Sequence, residues 1–221
     1  VCELKHEFVK LYKGNSHTTE ILPNMPDESL QIESYSLSLL HKFLDANPIY
    51  SNQISKKILD LDYTIFEGDL NNYWIDSIKH DTSYAPFYPT WMLSAWGLAL
   101  TAKNLGFEQI IDIGSGDGRI AYCGKVLGLD SISIEIDENL VNMQEDLSLK
   151  TGIDFNPVCS DATNYDFKKI LPKKSIFVIG GVPEIGEVLA ESVIQNALEI
   201  PHISNSSFVL TGSHSHREFS R

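Results

Sequence analysis

Three glycines at alternate positions, Gly114, Gly116 and Gly118, separate the apolar run Gln109-Ile110-Ile111-Asp112-Ile113 from an amphipathic run that begins at Arg119-Ile120. Glycine lets a ligand come close to the backbone, and a helix start offers free N–H groups and partial positive charge. An anionic or strongly polar group is therefore expected to dock here, with Asp112, Gly114, Ser115, Gly116 and Gly118 as candidate contacts. Further on, Glu135 sits near the end of Ser131-Ile132-Ser133-Ile134-Glu135-Ile136-Asp137. A carboxylate at the C-terminal end of a parallel strand can accept hydrogen bonds from ribose hydroxyls. Asp137 shares its face and is the rival; Glu135 is preferred because Ile134 and Ile136 still frame it as strand. Asp161, in Ser160-Asp161-Ala162-Thr163, is the next acid in register, and on its own it reads equally well as a helix cap or an Asx turn.

These residues need a scaffold that brings strand ends together. From Gln109 onward, strand and helix patterns alternate: strand Gln109–Gly114, helix Asp117–Leu127, strand Ser131–Asp137, helix Glu138–Thr151 stopped by Gly152. A third strand, Asp154–Cys159, is kept short or irregular by Pro157; strand Ser175–Gly180, helix Gly186–Leu198 and strand Ser206–Thr211 complete the series. This alternation is the signature of an α/β fold with a doubly wound parallel sheet. Trp91–Leu105 forms a preceding helix, with Leu93, Trp96, Leu100 and Leu105 as core candidates and Gly106 as its stop.

Residues 1–80 read as a helical N-terminal region and residues 81–221 as the ligand-binding domain. Leu37, Leu40, Phe43 and Leu44 fall on one face of a helix between Asp27 and Asn47-Pro48. Asn52–Leu61 places Ile54, Ile58 and Leu61 at helical spacing, and Asp69–Lys79 places Tyr73, Trp74 and Ile78 together. Pro86 and Pro89 make the boundary segment Asp81–Thr90 extended.

The formal net charge of −13 argues against a broad phosphate-binding surface and so against nucleic acid as partner. Acidity also simply maintains solubility. No stretch is long and apolar enough for a membrane span, and the start lacks a signal peptide, so the expected location is cytoplasmic, or an organelle reached by a removed peptide. Cys2, Cys123 and Cys159 are far apart and odd in number, suggesting neither a disulfide framework nor a metal site. His214 and His216 alone do not make one either.

The run D-I-G-S-G-D-G-R-I resembles the first motif of class I S-adenosylmethionine-dependent methyltransferases. Together with P-F-Y-P-T, I-E-I-D-E-N-L-V and V-P-E-I-G-E-V-L, it makes about Tyr84 to Ser213 similar to the seven-strand protein-lysine methyltransferases of archaea and mitochondria. The resemblance implies a Rossmann-like sheet and S-adenosylmethionine as cofactor. It implies that the glycine loop holds the methionine end, Glu135 the ribose, and Asp161 with the Ala162 N–H the adenine, with Thr90 and Gly180 bordering the same site. It further implies a methyl acceptor, such as a protein lysine amine, approached by Tyr84, Phe87 and Tyr88 and oriented by Glu184; plain packing of a proline-rich corner is the competing reading of those aromatics. The segment Ile179-Gly180-Gly181-Val182-Pro183-Glu184 lacks the Asn/Asp-Pro-Pro-aromatic motif of nucleic-acid base methylases. Family members close the sheet with a sixth and an antiparallel seventh strand, and the expectation here is that these are missing or abbreviated. Two alternatives stand beside a protein methylase: a small-molecule methyltransferase with the N-terminal region as lid, and a non-catalytic scaffold subunit.

Overall fold

The computed structural model of the chain describes residues 17–58, 60–73, 87–180 and 187–211. Its centre is a parallel sheet of β4 (Gln109–Ile113), β5 (Asp130–Glu135), β6 (Pro157–Cys159), β7 (Ser175–Ile179) and β8 (Ser207–Leu210), in the order β6-β5-β4-β7-β8. Every residue of β4 and β7 is buried, as expected of parallel strands covered on both faces. Strand order reverses at β4, so the loop that follows Ile113 opens at the crevice where ligands of such sheets bind. Pro157 is accommodated because β6 is a three-residue edge strand.

Helices α2 (Met92–Asn104), α3 (Arg119–Val126) and α4 (Glu138–Thr151) pack against one face. Helix α5 (Glu187–Leu198) lies on the other, where Ala190, Val193 and Ala197 meet Ile111, Ile113 and Phe177. Gly152 ends α4 in the left-handed conformation, and Asp137 caps its start by accepting the N–H groups of Asn139 and Leu140. Leu93 and Trp96 are buried in α2, whereas Leu105, expected in the core, is 60% exposed beyond the last turn.

The N-terminal region corrects the helical expectation. Only α1 (Ser34–Ala46) is the helix foreseen there, burying Leu37, Leu40, Phe43 and Leu44. Around it lies an antiparallel sheet of β1 (His17–Pro23), β2 (Tyr50–Ile58) and β3 (Leu61–Asp69), in the order β1-β3-β2. The supposed helix Asn52–Leu61 is a hairpin: Ile58 pairs with Leu61, and Asp60 turns the chain with φ 65°. The physical reason lies in β3, where Tyr63 and Ile65 alternate with Asp62 and Thr64 and need a partner strand on each side. Of the expected helix Asp69–Lys79, residues 71–73 are helical and 74–79 lie outside the described residues. The boundary at 80/81 lies there too.

One hydrophobic cluster runs through both regions, joining Ile21, Leu40, Phe43 and Phe66 to Met92, Trp96, Ile120 and Tyr122. Among the side chains that fasten the join, the Tyr122 hydroxyl donates to the Leu39 carbonyl (2.8 Å), the Trp96 indole to Leu30 (3.0 Å) and the Lys42 ammonium to Thr151 (2.9 Å). Phe43 stacks at a tilt on Tyr122 with centroids 4.6 Å apart.

Candidate functional site

Gly114, Gly116 and Gly118 take φ values of 63°, 60° and 76°, left-handed geometry that side chains resist, which is why this loop needs three glycines. The loop amides are turned inward. Gly114 and Ser115 donate to the Ile134 carbonyl, Gly118 donates to Ser115, and Gly116 donates to Glu135 Oε2 at 2.8 Å. At the head of α3, the Asp117 carboxylate accepts the Arg119 N–H and the Asp112 carboxyl accepts that of Ala121. An anion arriving here would find these donors already engaged, which corrects the expectation of a nest for anionic groups.

Glu135 ends β5 and is 7% exposed. Its Oε1 accepts the N–H groups of Ile136 (2.8 Å) and Asp137 (3.1 Å), completing a carboxylate held by three backbone amides. Burial pushes its pKa up, and those amides pull it back down. Asp112, on β4, is 2% exposed; burial raises its carboxyl well above the usual carboxylate range, with Asp117 and Glu135 nearby adding to the effect. Asp112 Oδ2 has no hydrogen-bond partner among the described residues. Asp161 follows β6, beside Glu135, whose carbonyl accepts the Ser160 N–H at 2.8 Å. Its Oδ1 accepts the Thr163 amide and hydroxyl and its Oδ2 the Asn164 side chain, so it closes an Asx turn. Ala162 is buried in the core toward α5, and Gly180 follows β7 next to Thr211.

The segment before α2 reaches the loop. Phe87 is buried, and its ring lies so close to Gly116 that a Cβ there would collide with Cε2 and Cδ2. Tyr88 is 61% exposed, and the Thr90 carbonyl accepts Arg119 Nη1 at 2.6 Å. The structure thus brings together Phe87, Gly116 and Glu135, with Ser115 and Thr90 alongside. Tyr84 and Glu184 lie outside the described residues.

Two further side chains, Gln144 and Arg119, hold the loop and were not foreseen from the sequence. Gln144, fully buried in α4, donates to Ser115 Oγ (3.0 Å) and the Gly116 carbonyl (2.7 Å) while accepting from Ser133 (2.7 Å). Its signal was a polar residue on the apolar stripe of Leu140, Met143 and Leu147. Arg119 is 1% exposed and donates through all five of its side-chain N–H groups: Nε to Asp117, Nη1 to Glu20 (2.8 Å) and Thr90, Nη2 to Tyr50 (3.0 Å) and Asp117. A charged residue inside an otherwise buried helix, in the D-G-R tail of the motif, was its signal.

The charge balance of the interior is lopsided. Among the described residues, Glu20, Glu67, Asp112, Asp117, Glu135 and Asp137 are buried, and Arg119 is the one buried cation. A neutral or cationic ligand suits that interior; a pyrophosphate does not.

No family model matches the chain, and no curated protein matches it. Solved structures resemble it at low identity. A protein of Pyrococcus horikoshii OT3 aligns at 10% identity over 53% of this chain and 55% of its own, with a TM-score of 0.45. The Pyrococcus abyssi tRNA (uracil-54, C5)-methyltransferase, in complex with S-adenosyl-L-homocysteine, aligns at 14% identity over 73% of this chain and 34% of its own, TM-score 0.45. The CcbJ methyltransferase of Streptomyces caelestis aligns at 15% over 62% and 54%, TM-score 0.42. The chain therefore spans about a third to about half of the length of these proteins. At these values function has to come from the residues of the site itself.

Proposed function

We propose that the chain binds S-adenosylmethionine at the C-terminal ends of β4, β5 and β6 and is a methyltransferase. The observation that carries this is the amide-held Glu135 carboxylate folded onto Gly116: the loop amides are withdrawn from anions, and the carboxylate keeps one acceptor position beyond the three that the amides fill. S-adenosylmethionine carries a sulfonium, an ammonium and one carboxylate, a net positive ligand for an interior with excess buried acid. The chain's residues fit it as follows. Glu135 would accept from the ribose, Asp161 and the Ala162 N–H would meet the adenine, and the methionine end would meet the loop beside Phe87, whose ring already fills the close approach at Gly116. Phe87 covers that end and keeps water from it, and Asp112 Oδ2 is a buried polar atom ready for a donor. When bound, the cofactor supplies an activated methyl group for in-line transfer to a nucleophile. Catalysis by the protein is then mainly positioning.

For the acceptor, the reading is a protein lysine amine, which must arrive deprotonated and so favours an apolar, aromatic approach; Phe87 and the neighbouring exposed Tyr88 support it. The P-F-Y-P-T resemblance supports it too.

Thermal unfolding tests the cofactor: S-adenosylmethionine at one hundred times its Kd stabilises the native state by about 2.7 kcal/mol, while NAD gives no shift. Absence of any shift at millimolar S-adenosylmethionine overturns the reading. Labelled cofactor offered to proteome extract and to a metabolite pool tests the acceptor. Label on protein lysine supports a protein methylase, label on metabolites replaces it with a small-molecule enzyme, and binding without transfer leaves a scaffold.

A further inference from the structure

The buried ion pair between β1 and α3 has no place in the chemistry above, yet it touches the segment that covers the loop. Arg119 Nη1 donates both to Glu20 Oε2 (2.8 Å) and to the Thr90 carbonyl (2.6 Å). Glu20 Oε2 also accepts the N–H of Met92, the first residue of α2, at 2.7 Å. One carboxylate and one guanidinium thus grip the chain at residues 90 and 92. Three residues before Thr90, Phe87 rests on Gly116. The far side of the guanidinium holds Asp117, which belongs to the glycine loop and also accepts Asn47 Nδ2 at 3.0 Å, and holds the Tyr50 hydroxyl of β2. Loop, covering segment and N-terminal sheet therefore meet on a single side chain.

We propose that Arg119 is a positioning residue of the cofactor site and that the N-terminal sheet, through Glu20 and Tyr50, sets how Phe87 lies over Gly116. This rests on the cofactor site proposed above. A lysine at 119 could not replace it, because one ammonium cannot point along the five directions that the planar fork uses. Glu20 acts only through Arg119 and Met92; it is remote in sequence and belongs to a different sheet.

The test has two arms. In the first, amide hydrogen exchange is followed in the ligand-free protein. Glu20→Gln, which keeps the side-chain shape, is expected to speed exchange at Met92 and at the Tyr88, Thr90 and Trp91 amides by about tenfold, and Tyr50→Phe by about threefold, the scale of one hydrogen bond each. In the second, calorimetry gives the Kd of S-adenosylmethionine for Glu20→Gln, Tyr50→Phe, Phe87→Ala and the pair Glu20→Gln with Phe87→Ala. Weaker binding in each single variant is expected, with the double variant no worse than Phe87→Ala alone, since both act through one ring. A stabilising role alone would leave the two effects additive, and additivity overturns the proposal. Unchanged exchange at 88–92 also overturns it. Should the wild type fail to bind the cofactor, the functional reading falls, and the exchange arm still decides whether Glu20 holds the segment. If Glu20→Gln does not fold, Tyr50→Phe, which leaves the charges in place, carries both arms.

Discussion

Each of the two sheets buries a glutamate beside the same loop, and each neutralises it differently. Glu20, from the antiparallel sheet, faces a guanidinium and two backbone amides, those of Met92 and Ile21; Glu135, from the parallel sheet, faces three backbone amides and no cation. Burial pushes both carboxyls up, but Arg119 opposes that for Glu20 while only N–H dipoles oppose it for Glu135. A carboxylate locked to a buried cation is committed to structure, because separating the pair strands a charge on each side. One held by amides keeps acceptor capacity for a visitor. The antiparallel sheet thus braces the site that the parallel sheet offers.

Removing the cation is the strongest way to break this contrast. Arg119→Met leaves Glu20 and Asp117 buried without their partner and is expected to lower stability by about 3–5 kcal/mol, read from urea unfolding. A loss below about 1 kcal/mol would mean that Glu20 is neutral in the native protein. Glu135→Ala should affect binding and folding together. Cofactor affinity falls on the order of 100-fold, about 2.7 kcal/mol, and the three backbone amides left without their acceptor lower the unfolding free energy as well. Equal affinity by calorimetry would remove Glu135 from the site.

pH sharpens the same contrast. Both glutamates have native pKa values above the ordinary 4.5, so above that pH the native state binds more protons than the unfolded chain. Stability contributed by these groups is therefore largest at and below about pH 4.5 and declines as pH rises through their native values. Glu135→Gln should flatten that decline in unfolding measured from pH 4.5 to 8; a slope equal to wild type would show that Glu135 titrates normally. The smallest effect is a control on the brace itself. Ile54, 43% exposed on the outer strand β2, touches none of the charged groups, and Ile54→Ser should change stability by no more than about 0.5 kcal/mol.

Legibility in the sequence tracked burial. Strands β4 and β7 are largely apolar runs, and the helices carry clear stops such as Gly152, so these were readable to within a residue or two, whereas β6 starts three residues later than expected, at Pro157. The hairpin was not. Its turn has Asp60, rather than glycine, in the left-handed region, and β2 is exposed over residues 51–57, so Ile54, Ile58 and Leu61 mimicked one face of a helix. The alternation Leu61-Asp62-Tyr63-Thr64-Ile65 was the available signal. At the site, the glycines and Glu135 were visible because the loop's geometry demands those residue types. Glu20 and Tyr50 were not, since pairing across 99 and 69 residues leaves no local pattern. Asp161 shows the limit of position alone: its place at a strand end was foreseen, and its side chain is engaged in its own turn.

The amides around Glu135 also set a valence. An ionised carboxylate has about four acceptor positions, and Gly116, Ile136 and Asp137 fill three of them. A ribose brings two hydroxyls to one remaining position. Either a single hydroxyl is taken up and the other turns elsewhere, or the Gly116 amide lets go and the loop beneath Phe87 is released as the second is received. Recognition at this carboxylate would then be a substitution among ligands, with the peptide backbone as one of the exchanging partners.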